Sequence, residues 1–338
     1  MLPAHEIRMT ITVPGAGPYA APPWLPGGHA QTIYAALFAP RPRVAYRRER
    51  WDTPDRDFVD LDWAEPEADV GRGAKRPLVA LFHGLEGNSR SHYAVTLMAA
   101  LQKTGWRGVV VHFRGCSGEI NRLPRAYHSG DSAEIDWILR RLRRQHPSAP
   151  LHAVGVSLGG NALLKWLGEQ RENAADILEA AAAVSAPVDL MAAGAALDHG
   201  FNLLYVQHFL STMKRSSSAR LAHFPGLFDG DKMRTARTLR AFDDVVTAPL
   251  HGFKNTDDYW LRASSKPLLS RIRVPTLMIN ARNDPFLPEK FLPHSRDVSA
   301  AVTLDFPATG GHAGFVCGAF PGHLGWLPNR ILGFFDRR

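Results

Sequence analysis

The segment Leu151–Leu167, LHAVGVSLGGNALLKWL, reads as a strand that turns directly into a helix. Leu151, Ala153, Val154 and Val156 make a short apolar run, and Leu163, Leu164 and Leu167 follow at helical spacing. Ser157 stands at the junction, inside Gly155-Val156-Ser157-Leu158-Gly159. A serine hydroxyl is a poor nucleophile unless a sharp strand-to-helix turn presents it, and flanking glycines permit that turn. The letters alone weigh little, since this composition yields them by chance in about one chain in eight. The strand before and the helix after give them weight.

Outward from this junction, strands and helices alternate. Upstream, Leu78–Phe82 (LVALF) and Val109–Phe113 (VVVHF) are continuous apolar runs, as expected of strands buried on both faces of a parallel sheet. Helical spacing covers Ser91–Gln102 between them and Ser132–Arg144 after them, the latter with Ile135, Ile138, Leu139 and Leu142 on one face. Downstream, Ala181–Ser185, Thr276–Asn280 and the strand-like Ala301–Phe306 continue the pattern. Arg43–Trp51 and Phe58–Trp63, joined by Thr53–Asp57, predict an antiparallel hairpin. Repeated β-crossover-β units predict an α/β fold with a doubly wound, mostly parallel sheet and chemistry at the strands' carboxyl ends.

Pro187–Ser270 breaks the rhythm. It has helical patches at Phe201–Met213 and Arg234–Ala241 and no convincing strand, and reads as a helical cap inserted into the core. The predicted organisation is an N-terminal arm (1–40) of irregular chain, a core (41–186 and 271–338) and a cap (187–270).

Acyl transfer by Ser157 needs two oxyanion donors. One is the amide after the nucleophile, Leu158; the other belongs in a loop after an earlier strand, where His83-Gly84-Leu85-Glu86-Gly87 follows LVALF, so the Leu85 amide is the natural second. His83 itself is expected to orient this loop. Acid and base should follow in the order Asp, His. Asp284 follows Thr276–Asn280, and His312 lies in Gly310-Gly311-His312-Ala313-Gly314 after the last strand. Asp305, within that strand, is the rival acid. Cys116, in the turn Arg114–Glu119, could be a second nucleophile but reads better as a glycine turn bordering the pocket, and Cys317 is expected in the final packing region. Phe201, Leu203, Leu204, Tyr205, Phe209 and Phe253 suggest either an apolar acyl pocket or the cap's own core. The candidate substrate contacts are His83, Gly84, Cys116, Phe201 and Tyr205.

The 338 residues are 45% hydrophobic and 21% charged, which argues against disorder and coiled coil. Two cysteines cannot build a disulfide scaffold, no run reaches the ~18 apolar residues of a membrane span, and the N-terminal MLPAHEIRMTITVPGAGPYA carries charges where a signal peptide has its apolar core. A cytoplasmic protein is expected. The net charge is +8, densest at Arg140, Arg141, Arg143 and Arg144, and reads either as an anion-attracting surface or as a solvated helix face. No nucleic-acid module appears, and neither HExxH nor a CxxC pair argues for a metal.

The motifs together resemble the YheT-like esterases, the AB hydrolase 4 family of the α/β-hydrolase superfamily. The resemblance rests on Trp24–Thr32 (WLPGGHAQT), His83–Gly87, Phe113–Glu119 (FRGCSGE), Gly155–Asn161 (GVSLGGN), Phe242-Asp243-Asp244, Thr247-Ala248-Pro249, Asn283-Asp284-Pro285 and Gly311-His312. It implies a triad of Ser157, Asp284 and His312, the set that the spacing also selects, and medium- to long-chain acyl esters as substrates, with no cofactor. The expected activity is serine carboxylic-ester hydrolysis. An acyltransferase or thioesterase acting on acyl-CoA-like donors, and a non-catalytic binding protein on the same fold, are the alternatives. The expected partner is a small-molecule acyl ester, not nucleic acid, with peripheral contact to anionic membrane compatible with the charge.

Overall fold

The computed structural model describes residues 17–66 and 75–337; the reading of residues 1–16 lies outside them. Eight strands form one sheet in the order β1-β2-β4-β3-β5-β6-β7-β8. β1 (Arg47–Asp52) and β2 (Phe58–Ala64) form an antiparallel hairpin, with Trp51 opposite Val59, and β2 runs antiparallel to β4 (Arg107–Val111). β3 (Leu78–Phe82), β5 (Leu151–Val156), β6 (Ala180–Val184), β7 (Thr276–Ile279) and β8 (Val302–Asp305) pair in parallel, as do β3 and β4. The continuous apolar runs are buried along their length, as strands covered on both faces must be.

α2 (His92–Lys103) and α11 (Trp326–Phe335) cover one face, packing Leu97, Met98, Leu101, Ile331 and Phe335 on the sheet. α3 (Ser132–Gln145) and α4 (Leu158–Gln170) cover the other with Ile135, Ile138, Leu139, Leu142, Leu163 and Leu167. Each of these leucines, fully buried, would cost about 2–5 kcal/mol if cut to alanine. The strand order grows outward on both sides of β3, so the loops after β3 and β5 diverge and open a crevice at their carboxyl ends.

Strand ends differ from the sequence reading for local reasons. β4 stops at Val111 because the Phe113 amide donates to His83 Nε2 at 3.1 Å instead of joining a ladder. β6 stops before Ser185, whose φ of 48° is not extended. The arm is not wholly irregular: α1 (Gly28–Leu37) forms from GHAQTIYAAL, entered through Gly27 at φ 79°, because the good helix formers that follow outweigh the glycine-proline start.

Between β6 and β7 the described residues hold helices and no strand: α5 (Leu190–Leu197), α6 (Asn202–His223), α7 (Gly230–Thr235), α8 (Leu239–Phe242), α9 (Ala248–Leu250) and α10 (Thr256–Ala263). α6 runs ten residues past the expected Met213. The single helix expected over Arg234–Ala241 is two, because Ala236 leaves helical geometry and Thr238 caps α8, its Oγ1 accepting the Ala241 amide. This segment has its own core of Leu197, Val206, Leu210, Met233, Phe242 and Val246, which also takes in Phe286 from the loop after β7.

The basic face of α3 is largely engaged within the chain. Arg140 binds Asp136 and Gln170, Arg143 donates to the Ile177 and Ala149 carbonyls, and Arg141 lies over the Trp51 ring. Among the described residues, no helix is long and apolar enough to cross a membrane.

Candidate active site

Ser157 sits between β5 and α4 at φ 54° and ψ −120°, a conformation that non-glycine residues rarely hold. Tight packing imposes it. A Cβ on Gly155 would meet the backbone of Gly159 and Gly160, and one on Gly159 would meet the Phe82 and His83 carbonyls, so α4 leaves the sheet at a distance only glycines allow. The Ser157 amide is held by the Val184 carbonyl at 2.8 Å.

The His312 imidazole reaches both partners. Its Nδ1 lies 2.9 Å from Asp284 Oδ2 and 3.1 Å from Oδ1, and its Nε2 lies 2.9 Å from Ser157 Oγ. With a carboxylate on Nδ1, the favoured tautomer carries its proton there, which leaves the Nε2 lone pair to accept from the serine hydroxyl. Asp284 is 3% exposed, and its Oδ1 also accepts the Phe286 amide at 2.8 Å. The Asp-Pro turn and the histidine partner are therefore one device. The Phe286 ring packs on the imidazole with centroids 4.1 Å apart. Asp305 is engaged elsewhere, accepting from Arg330 at 2.6 Å.

The arm helix fastens the histidine loop. Gln31 Oε1 accepts the Gly310 amide at 2.8 Å and Asn283 Nδ2 at 3.0 Å, and Thr32 Oγ1 accepts the His312 amide at 2.8 Å. Ser185 Oγ accepts the Ala313 amide and His92 Nε2 contacts the Ala313 carbonyl, both at 2.9 Å. None of these holders was singled out in the sequence, although Gln31 and Thr32 stand in the quoted WLPGGHAQT motif.

A largely apolar cavity opens on Ser157 and His312. Leu85 and Leu158 line it, and neither amide donates to a protein acceptor among the described residues, as oxyanion donors should be left. Its wall includes Leu190, Leu197, Phe209, Met213, Val246 and Phe286, with Glu86, Tyr127 and Arg220 as polar members.

The five expected substrate contacts lie off this wall, a correction to the sequence reading. His83 is fully buried under the loop: Nε2 accepts the Phe113 amide, so Nδ1 carries the proton to the Gly84 carbonyl at 2.8 Å, and burial pushes its pKa down to about 3. It orients the loop. Gly84 backs Ser157, its amide donating to Tyr93 Oη at 2.9 Å. Cys116 packs beside Tyr127, and burial raises its thiol well above the usual range. Phe201 and Tyr205 gather around His29 on the outer side of Phe286. Phe253 packs on His128 and Tyr259. Of the cap aromatics expected to form an acyl pocket, Phe209 reaches the cavity.

Other motif residues build the frame. Asn161 ties α4 to the Ser129 and Ala263 carbonyls and accepts the Ser265 amide. Arg114 is buried among Asp55, Asp57 and Glu134 beneath the FRGCSGE turn. Among the described residues no cluster of three or more His, Cys, Asp or Glu could hold a metal ion.

The sequence pattern of the α/β-hydrolase fold family matches residues 77–318. The chain is 39% identical over 305 residues to the inferred esterase YheT of Escherichia coli, covering 90% of this chain and 88% of that one. It is 31% identical to human phospholipase ABHD3 over 88% of this chain and 73% of the other. Among solved structures, the ferulic-acid-bound Est1E of Butyrivibrio proteoclasticus superposes with a TM-score of 0.54 at 15% identity, over 87% of this chain and 98% of that one, a likeness of fold alone. A sheet whose strand ends gather a serine, a histidine and a carboxylate, together with these relatives, places the chain in the α/β-hydrolase family, in its YheT-like AB hydrolase 4 branch, as an esterase- or lipase-type hydrolase.

Proposed function

We propose that the protein is a serine carboxylic-ester hydrolase in which Ser157 is the nucleophile, His312 the general base and acid, and Asp284 the group that orients the imidazole and stabilises its charge. The observation that carries this reading is the continuous set of contacts Asp284–His312–Ser157, at 2.9 Å each, facing an apolar cavity. As Oγ bonds to the acyl carbon, its proton passes to Nε2 and the carbonyl electrons move onto oxygen, held by the Leu85 and Leu158 amides. Collapse breaks the bond to the alcohol oxygen, which takes the proton from Nε2. Water, deprotonated by the same nitrogen, then attacks the acyl-enzyme, and the acid leaves as Ser157 regains its proton.

The cavity wall of leucines, Phe209 and Met213 suits an acyl chain over a polar acid, which supports medium- to long-chain esters as substrates. The helices from α5 to α10 serve in this reading as a cap over the site. Hydrolysis of a nitrophenyl ester series from acetyl to palmitoyl is the test. Activity should peak above acetyl, and Ser157→Ala should lower kcat about 10⁴-fold or more; a variant that kept most of the rate would overturn the assignment.

A further inference from the structure

α6 turns one cation into the cavity and leaves its guanidinium without a close ion pair, the carboxyls of Glu86 and Asp57 acting on it only through space. Arg220 is 6% exposed and lines the same cavity as Ser157 and His312, and among the described residues its guanidinium has no hydrogen-bond partner and no carboxylate within 4 Å. Arg114, 3% exposed, shows how this chain otherwise buries a guanidinium, with three carboxylates around it. A guanidinium cannot shed its proton at ordinary pH, so burying one unpaired is a standing cost to the fold. Such a group is kept where something else completes it.

The surroundings make room for the head group. Gly115, at φ 82°, leaves the space that Arg220 Nη2 occupies, for a Cβ there would stand 3.1 Å from it. The neighbouring carboxyl is Glu86, which accepts from Tyr127 Oη at 2.9 Å and is not within ion-pair distance of Arg220. Burial pushes Glu86 up, which lowers the cost of carrying it neutral beside a bound anion. Ser216 and Ser217, one turn back on α6, also line the cavity and offer hydroxyls.

We propose that Arg220 anchors an anionic oxygen group, phosphate or carboxylate, carried by the ester substrate. The proposal rests on the hydrolase reading above and deepens it, by making the preferred ester a charged amphiphile whose head is gripped by the planar guanidinium while its chain lies along the apolar wall.

The test compares three esters with one acyl chain: monoacylglycerol, monoacylglycerol phosphate and the acyl ester of glyceric acid. The wild type should favour one or both anionic esters in kcat/KM, phosphate and carboxylate being told apart by which. In Arg220→Gln the ratio of anionic to neutral kcat/KM should fall at least about tenfold, and Arg220→Lys should restore part of it. A ratio unchanged in Arg220→Gln, with the protein folded by its melting curve, would overturn the proposal. To separate it from the hydrolase reading, binding of the monoacylglycerol phosphate is measured by calorimetry. Ser157→Ala should bind it at least about tenfold more tightly than Ser157→Ala/Arg220→Gln. Equal affinities sink the anion site even if hydrolysis is seen, and unequal affinities support it even if hydrolysis is not.

Discussion

Gln31, on the N-terminal arm, holds the backbone of Gly310, two residues before His312, its buried Oε1 accepting the Gly310 amide at 2.8 Å. The same oxygen accepts from Asn283, beside Asp284, so one side chain fixes the loops of both His312 and Asp284. Replacing Gln31 with Ala leaves the buried Gly310 amide unpaired, at a cost of about 1–3 kcal/mol, and takes the acceptor from the half-buried Asn283 amide. The loss should fall on the geometry of His312, so kcat should drop about tenfold or more while KM moves little. Steady-state kinetics on a nitrophenyl ester would show it; an unchanged kcat would mean that the arm only packs against the core.

Gly159→Ala should destabilise the fold by about 3 kcal/mol or more, because its Cβ meets the carbonyls of Phe82 and His83, in strand and loop backbone that cannot swing away. Gly160→Ala is the internal control. Its Cβ would approach Ala186 Cβ at 3.0 Å and the Gly155 carbonyl at 3.1 Å, contacts that need only a small shift. Urea midpoints should rank wild type, Gly160→Ala, Gly159→Ala in falling order. A Gly159→Ala protein as stable and active as the wild type would contradict the packing account of the turn.

Acid should unfold this protein well above the carboxylate range. Burial pushes His83, His128 and His251 down to about 3, and His92 and His152 down to about 4. The unfolded chain protonates these rings below about pH 6.5 while the folded one does not, so their contribution is present above that pH and is lost as the pH falls from 6.5 toward 4. Glu134 and Asp243, pushed up by burial, bind protons in the folded state and oppose the trend. Near pH 5 the five rings outweigh these two carboxyls, so unfolding takes up protons and stability falls as the pH drops. Urea unfolding at pH 7.5, 6 and 5 measures it, and a flat profile would refute the neutral burial of the histidines.

Ser157, Asp284 and His312 were legible because each carries a local signature at a strand's carboxyl end, where parallel sheets place their sites. The residues that hold them were not. Gln31 bonds to Gly310 across 279 positions, and a lone sequence carries no periodic trace of such a contact. Arg220 lies in KRSSSAR, where α6 loses its apolar rhythm; that stretch is helical all the same and turns Ser217 and Arg220 inward toward the cavity. The aromatics misled for a related reason. Composition showed that α6 has a greasy face but not which turn of it meets the cavity: Tyr205 and Phe209 both pack against the segment's own core, and Phe209 also reaches the wall.

The most direct test of Ser157 as an activated nucleophile is labelling with a fluorophosphonate followed by peptide mapping. One adduct is expected, on Ser157, absent in Ser157→Ala and formed at least about a hundredfold more slowly in His312→Ala. Folded protein that stays unlabelled, or an adduct on another residue, would contradict it.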